Sequence, residues 1–191
     1  MTRQIVLASS SPRRQDLLRS VGLSFEVCVQ PVDEHLSGSP GEVVSTLAER
    51  KARAVAARHP DKLIIGADTL VYAKGQTLGK PIDAQDALRM LRLLSDSWHS
   101  VYSGLCVYDA ARDVALVRHV ETRVRMARLS EQMMLDYIAT GEPMDKAGAY
   151  ALQGIAGLFV SEIQGSPSNV IGLPLQTLRE LLDLAGCQIL G

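Results

Sequence analysis

The sequence predicts an α/β domain: a mixed sheet with flanking helices, folded as two lobes around a central cleft. Three observations carry that reading. Strand-length apolar runs alternate with helical periodicities through the first half of the chain, which builds a sheet covered by helices. Two long strand patterns, 98–108 and 114–127, then dominate the second half. The stretches that bear unusual chemistry fall at strand ends and helix starts, where open α/β sheets place their ligands. Residues 1–191 read as a single domain without repeats, low-complexity tracts or linkers.

The first element is Ile5-Val6-Leu7-Ala8, a buried strand. Ser9-Ser10-Ser11 is its tight connection, and Pro12 stands where a helix through Gln15-Asp16-Leu17-Leu18 begins. Val21 and Gly22 close that helix, and residues 23–29 alternate as a half-buried strand does. A polar loop follows over 31–35. The next helix runs from about Glu42 to Arg58, with Val44, Leu47, Ala48, Ala54 and Val55 at helical spacing. Residues 63–72 are apolar on both faces, as in a strand buried between layers, interrupted by Gly66-Ala67-Asp68-Thr69. After a turn at Gly75, residues 78–83 form a rigid loop. Asp83 caps a helix that repeats Ala84, Ala87, Leu88, Leu91 and Leu94 on one face.

In the 114–127 strand, Val114, Leu116, Val120, Val124 and Met126 share one parity, and His119, Glu121, Arg123 and Arg125 the other. One face is core and the other is wet. His99 and His119 are therefore ordinary strand residues, with no nucleophile motif beside either. Ser130 caps a further helix, stapled by Leu129 and Met134 and stopped by Gly141-Glu142-Pro143. The stretch 145–154 is dense in small residues, which let a backbone approach a ligand closely. A strand over 158–163, a loop over 165–169 and a final amphipathic helix opened by Pro174 complete the chain.

Composition narrows the partners. With 47% hydrophobic and 21% charged residues, the chain of 191 residues buries a real core and shows no bulk disorder. A net charge of -1 argues against nucleic acid as a partner and leaves a small anion allowed. Cys28, Cys106 and Cys187 lack disulfide or zinc spacing and read as buried free thiols. No run has the length of a membrane span and no segment reads as a signal peptide, so a cytoplasmic location without membrane attachment is expected.

Three stretches point to chemistry. The strand–serine loop–helix at Ser9 to Arg14 has the form of an anion site: the first N–H groups of a helix lack internal partners, and Arg13 and Arg14 add two charged forks suited to phosphate. Asp68, inside an apolar run, needs a cation, a metal or several donors, and so faces a cleft. Lys80 sits in a constrained loop just ahead of a helix start, a sensible place for a phosphate-binding ammonium. Neither GxxxxGK[ST] nor GxGxxG occurs, which sets aside common ATPases and dinucleotide binders.

With those residues in view, the chain closely resembles the Maf family of nucleoside triphosphate pyrophosphatases, relatives of the inosine triphosphate pyrophosphatase fold. The resemblance covers nearly the whole sequence. It rests on Leu7-Ala8-Ser9-Ser10-Ser11-Pro12-Arg13-Arg14, Val32-Asp33-Glu34, Glu49-Arg50-Lys51-Ala52, Gly66-Ala67-Asp68-Thr69, Gly79-Lys80-Pro81, the run from Asp145-Lys146-Ala147-Gly148-Ala149-Tyr150 to Gln153-Gly154, and Gly172-Leu173-Pro174-Leu175. It implies cleavage between the α and β phosphates with a divalent metal, usually Mg²⁺, and a nucleotide-pool house-cleaning role.

Arg13, Asp68-Thr69 and Gln153 resemble the dTTP/UTP subgroup rather than the 7-methyl-GTP one, and a Gln amide offers both donor and acceptor to an imide edge. The resemblance further implies that Ser9, Ser11, Arg14, Lys51 and Lys80 bind phosphate, that Arg13, Thr69 and Gln153 set specificity, and that Glu34 helps hold the metal. Asp68 is either the base or a metal ligand. Alternatives are a 7-methyl-GTP or purine triphosphate pyrophosphatase, or a non-catalytic nucleotide-binding regulator of septum formation. A homodimer is compatible with the sequence.

Overall fold

The computed structural model describes residues 3–189. In chain order its elements are β1 (Ile5–Leu7), α1 (Pro12–Ser20), β2 (Glu26–Val27), α2 (Pro40–Ala56), β3 (Leu63–Ala73), β4 (Gln76–Leu78), α3 (Ala84–Leu94), β5 (Trp98–Asp109), β6 (Val114–Met126), α4 (Glu131–Ala139), β7 (Val160–Gln164), α5 (Pro167–Ile171) and α6 (Leu175–Leu184). Short 3₁₀ turns occupy Glu142–Asp145, Ala147–Ala149 and Ile155–Phe159. Among the described residues the strands form one sheet in the order β2-β1-β3-β5-β6-β7, with β4 paired to β3. The sheet is mixed: β1 runs parallel to β2 and β3, whereas β3–β4 and β6–β7 are antiparallel. No helix among the described residues is long and apolar enough to cross a membrane.

The chain folds as two compact units, and β3, β5 and β6 each pass from one to the other. The first unit comprises the chain through Asp68, Ser103–Val120 and the segment from Gly172. In this unit β1 and the 63–67 and 103–109 parts of β3 and β5 are buried on both faces, and the alternation sorts their residues into two cores. Ile5, Leu7, Leu63, Ile65, Leu105 and Val107 pack with Leu18 of α1 and Leu178, Leu181 and Leu182 of α6. Val6, Ile64, Cys106 and Tyr108 pack with Ala48, Ala52 and Val55 of α2. All three cysteines are free thiols, Cys106 and Cys187 buried and Cys28 half-buried. Burial pushes the Cys106 thiol up to about 12.

At the end of β5, Asp109 is 4% exposed and receives both ends of the Arg3 guanidinium, at 2.5 and 2.6 Å. That hydrogen-bonded pairing holds its carboxyl below the usual carboxylate range. The stabilisation is therefore full above the ordinary carboxylate pKa and lost as pH falls through the lower folded value. Asp109→Asn is expected to lower unfolding free energy by about 1–3 kcal/mol at neutral pH. In urea titrations the gap between variant and wild type should shrink steadily below about pH 4; a constant gap would assign the loss to something other than the charge.

The second unit, Thr69–Tyr102 and Glu121–Ile171, has its own core. Ala87, Met90, Leu91 and Leu94 of α3 pack with Met134 and Tyr137 of α4, Tyr150 and Phe159 against Val71, Val101, Val124 and Met126. Tyr137 and Phe159 meet edge to face at 5.2 Å. The expected Asp83 and Ser130 caps are present, accepting from the backbone N–H of Asp86 and Met133.

Several elements differ from expectation. The 23–29 strand shrinks to Glu26–Val27, both exposed, because it lies at the sheet edge and pairs only Val6 and Leu7 of a three-residue neighbour. α2 begins at Pro40, two residues earlier than its apolar spacing suggested, fixed by a capping box between Ser39 and Glu42. β3 runs through Gly66 and Asp68 without interruption. β4 closes a hairpin through Lys74 and Gly75, both with positive φ. The expected 165–169 loop contains the start of α5, because Pro167 suits a first helical position and the Ser166 carbonyl accepts from Asn169 and Val170.

Candidate active site

In the first unit the serine loop becomes a scaffold for an arginine. Ser11 occupies the N-cap position of α1 without a side-chain cap bond; its backbone N–H instead donates to Ser9 Oγ at 3.3 Å. The same Oγ accepts from Arg14 Nη1 at 3.0 Å, and Arg14 Nε donates to the Gly172 carbonyl at 2.9 Å. Burial lowers the Arg14 pKa, Asp68 and Glu34 oppose that shift, and Arg13 adds to it, so all four charges lie in one electrostatic neighbourhood. A guanidinium stays charged under any such shift.

The second cluster is set by how α2 lies on the sheet. A Cβ at Gly66 would fall 2.1 Å from the Ala48 carbonyl oxygen, and one at Gly104 2.0 Å from that of Val44, so both strands admit the helix only because these positions lack side chains. Asp68, two residues beyond Gly66, shares its face of β3. Lys51, one turn beyond Leu47, then projects onto it: Nζ lies 2.6 Å from Asp68 Oδ1 and 2.7 Å from Glu34 Oε1. Lys51 and Asp68 side chains are 18% and 14% exposed and Glu34 61%. One ammonium thus draws two carboxylates to a common point at a partly dry position, where ion pairs are stronger than on the surface.

Of the sequence-derived candidates, Ser9, Ser11, Arg13, Arg14, Glu34, Lys51 and Asp68 belong to the first unit, and Thr69, Lys80 and Gln153 to the second. Thr69 follows Asp68 on β3 and is half-buried. Lys80 and Gln153 are exposed, and their loops are joined: the Gly148 N–H donates to the Gly79 carbonyl at 3.0 Å. Gly148 has φ +70 and rests against Val71, where a Cβ would approach to 3.0 Å.

Gln153 is bracketed by two anchors that the sequence reading passed over. On one side, the Tyr150 hydroxyl lies 2.6 Å from His99 Nε2, with both rings buried. Burial lowers His99 to about 4 and raises Tyr150, so both are neutral near pH 7. On the other side, Glu142 accepts from the backbone of Ile155 and Ala156. Glu142 reads in sequence only as part of a helix stop; its signal, a carboxylate facing a glycine-rich loop, is visible only once the chain has folded back.

Residues 4–185 match the family profile described as Maf-like protein. The chain belongs to that family. This Maf-like sequence is 49% identical over 190 residues to a protein of Pelotomaculum thermopropionicum named dTTP/UTP pyrophosphatase, spanning 98% of this chain and 100% of the relative. A protein of the same name from Geobacter sulfurreducens is 48% identical over 185 residues, spanning 96% and 97%. Among solved structures, the Staphylococcus aureus Ham1 protein shares the Maf-like fold with a TM-score of 0.56 at 15% identity, covering 96% of this chain and 100% of that one.

Proposed function

We propose that this Maf-like protein is a nucleoside triphosphate pyrophosphatase that hydrolyses dTTP and UTP to the monophosphate and pyrophosphate, as its relatives are named for. The observation that carries the reading is the Lys51 ammonium shared by Asp68 and Glu34, beside Arg14, in a chain alike to those relatives over nearly its whole length. A site that only bound a polyanion would gain nothing from carboxylates at that point.

Phosphoryl transfer is mostly positioning and charge neutralisation. Ser9, Ser11 and the first N–H groups of α1, with Arg14, Lys51 and Lys80, hold the phosphate chain. Asp68 accepts the proton of the attacking water as its oxygen adds to phosphorus, the bridging P–O bond breaks and pyrophosphate leaves. Arg13, Thr69 and Gln153 select the base and sugar.

The donor set fits a divalent cation such as Mg²⁺. Glu34 and Asp68 supply hard oxygens that both reach one Lys51 Nζ, at 2.7 and 2.6 Å. Among the described residues no group of three or more His, Cys, Asp or Glu side chains could hold a metal by itself. Two carboxylates completed by substrate phosphates is a usual Mg²⁺ arrangement. When bound there, the cation supplies neutralisation of phosphate charge.

The test is a panel of dTTP, UTP, CTP, GTP and 7-methyl-GTP with Mg²⁺, resolving pyrophosphate from orthophosphate. Pyrophosphate from dTTP and UTP supports the reading; pyrophosphate mainly from 7-methyl-GTP keeps the reaction and overturns the base assignment; nucleotide binding without hydrolysis overturns the reaction. Gln153→Ala is expected to lower the UTP over CTP preference in kcat/KM at least about tenfold, because the imide edge loses the amide that pairs with it. An unchanged preference removes Gln153 from recognition.

A further inference from the structure

We infer that Glu142 is a positioning residue for base recognition: its carboxylate holds the backbone of the loop that carries Gln153, and so sets how well the pyrimidine is read. The inference rests on the proposed role of Gln153.

Both carboxylate oxygens of Glu142 are in use. Oε1 accepts from the Tyr137 hydroxyl at 3.1 Å and from the Ala156 N–H at 3.3 Å, and Oε2 accepts from the Ile155 N–H at 3.1 Å. Gly154, the residue next to Gln153, lies directly on this carboxylate: a Cβ there would come within 2.8 Å of Oε2 and 2.9 Å of Oε1. Its φ of +90 is one that residues with a side chain rarely adopt. The backbone after Gln153 is therefore wrapped around a fixed anion. Burial alone would push Glu142 up, but the Ile155 and Ala156 N–H groups, the Tyr137 hydroxyl and Lys146 outweigh it and hold the group below the usual range, so it is ionised at neutral pH.

The rest of the loop is fixed as well. Tyr150 is held by His99 at 2.6 Å, and Lys146 Nζ donates to the Glu142 carbonyl at 2.6 Å. Gln153 itself is exposed, so it is the backbone that carries it, and not packing around its side chain, that sets where its amide starts from. An amide cannot replace the carboxylate: either orientation of a glutamine turns its NH₂ toward a backbone N–H, leaving two donors facing each other.

The experiment compares wild type, Glu142→Gln, Gln153→Ala and the double variant, measuring kcat and KM for UTP and CTP and thermal unfolding of each. For Glu142→Gln the expected result is a UTP KM raised roughly tenfold with kcat within about twofold, and a UTP over CTP preference lowered by a similar factor. Added to Gln153→Ala, Glu142→Gln should lower that preference no further, since both act through one contact. A preference that Glu142→Gln leaves intact while Gln153→Ala destroys it, or fully additive losses, overturns the inference while sparing the role of Gln153. A preference unaffected by Gln153→Ala overturns that role instead, and the inference with it. Should Glu142→Gln fail to fold, Glu142→Asp, which keeps the charge on a stem shorter by one methylene, must move the preference in the same direction.

Discussion

Asp68→Asn is expected to lower turnover of dTTP and UTP by about 10²–10⁴-fold, the usual contribution of a positioned proton acceptor. The substitution is close to isosteric. Its amide oxygen can still accept from Lys51, which donates to Asp68 Oδ1 at 2.6 Å, so the cluster keeps its shape and loses one negative charge. If Asp68 takes the proton of the attacking water, kcat falls, nucleotide affinity is unchanged, and added Mg²⁺ restores nothing. If Asp68 mainly holds the cation, part of the lost rate returns as Mg²⁺ is raised. Steady-state kinetics across a Mg²⁺ series, with nucleotide binding measured separately, tells the two apart. Unchanged turnover at every concentration takes Asp68 out of the mechanism.

Gly66→Ala is expected to cost about 3 kcal/mol or more of folding stability, or to abolish soluble protein, because the clash is with backbone. The new Cβ would meet the Ala48 carbonyl oxygen at 2.1 Å and the Ala52 nitrogen at 2.9 Å, and neither can move without lifting α2 off the sheet. Gly79→Ala is the control: nothing lies within 4 Å of a Cβ there and its φ is not positive, so its cost should stay below about 1 kcal/mol. Urea midpoints of the two variants decide the matter. Equal stability would show that the helix has room to shift.

The sequence made the ladder of this fold visible where burial on both faces left long apolar runs, as at Leu63–Ala73, and where caps announced helices, as at Asp83 and Ser130. It misjudged elements whose limits are set by a neighbour. The reach of β2 depends on the shortness of β1, and β4 exists because Lys74 and Gly75 turn the chain back on β3. The site residues show the same division. Asp68 was conspicuous as a carboxylate in an apolar strand. That Lys51 answers it depends on Gly66 and Gly104, residues which in sequence resemble strand breakers. Glu142 was hidden for the same reason: its partners lie 13 and 14 residues away, and no local pattern marks them.

The seating of α2 has a kinetic corollary. Where helix backbone rests on strand backbone at Gly66 and Gly104, no side-chain torsion intervenes between the two supports. The backbone roots of Lys51 and Asp68 therefore keep their spacing by direct packing of helix on strand. Such a contact has no rotameric freedom of its own, so the placement of the two backbone roots is completed once, during folding, and only the side-chain torsions of Lys51 and Asp68 are left to order when a polyphosphate arrives. Drift elsewhere in the hydrophobic interior can then erode melting temperature while leaving kcat nearly constant.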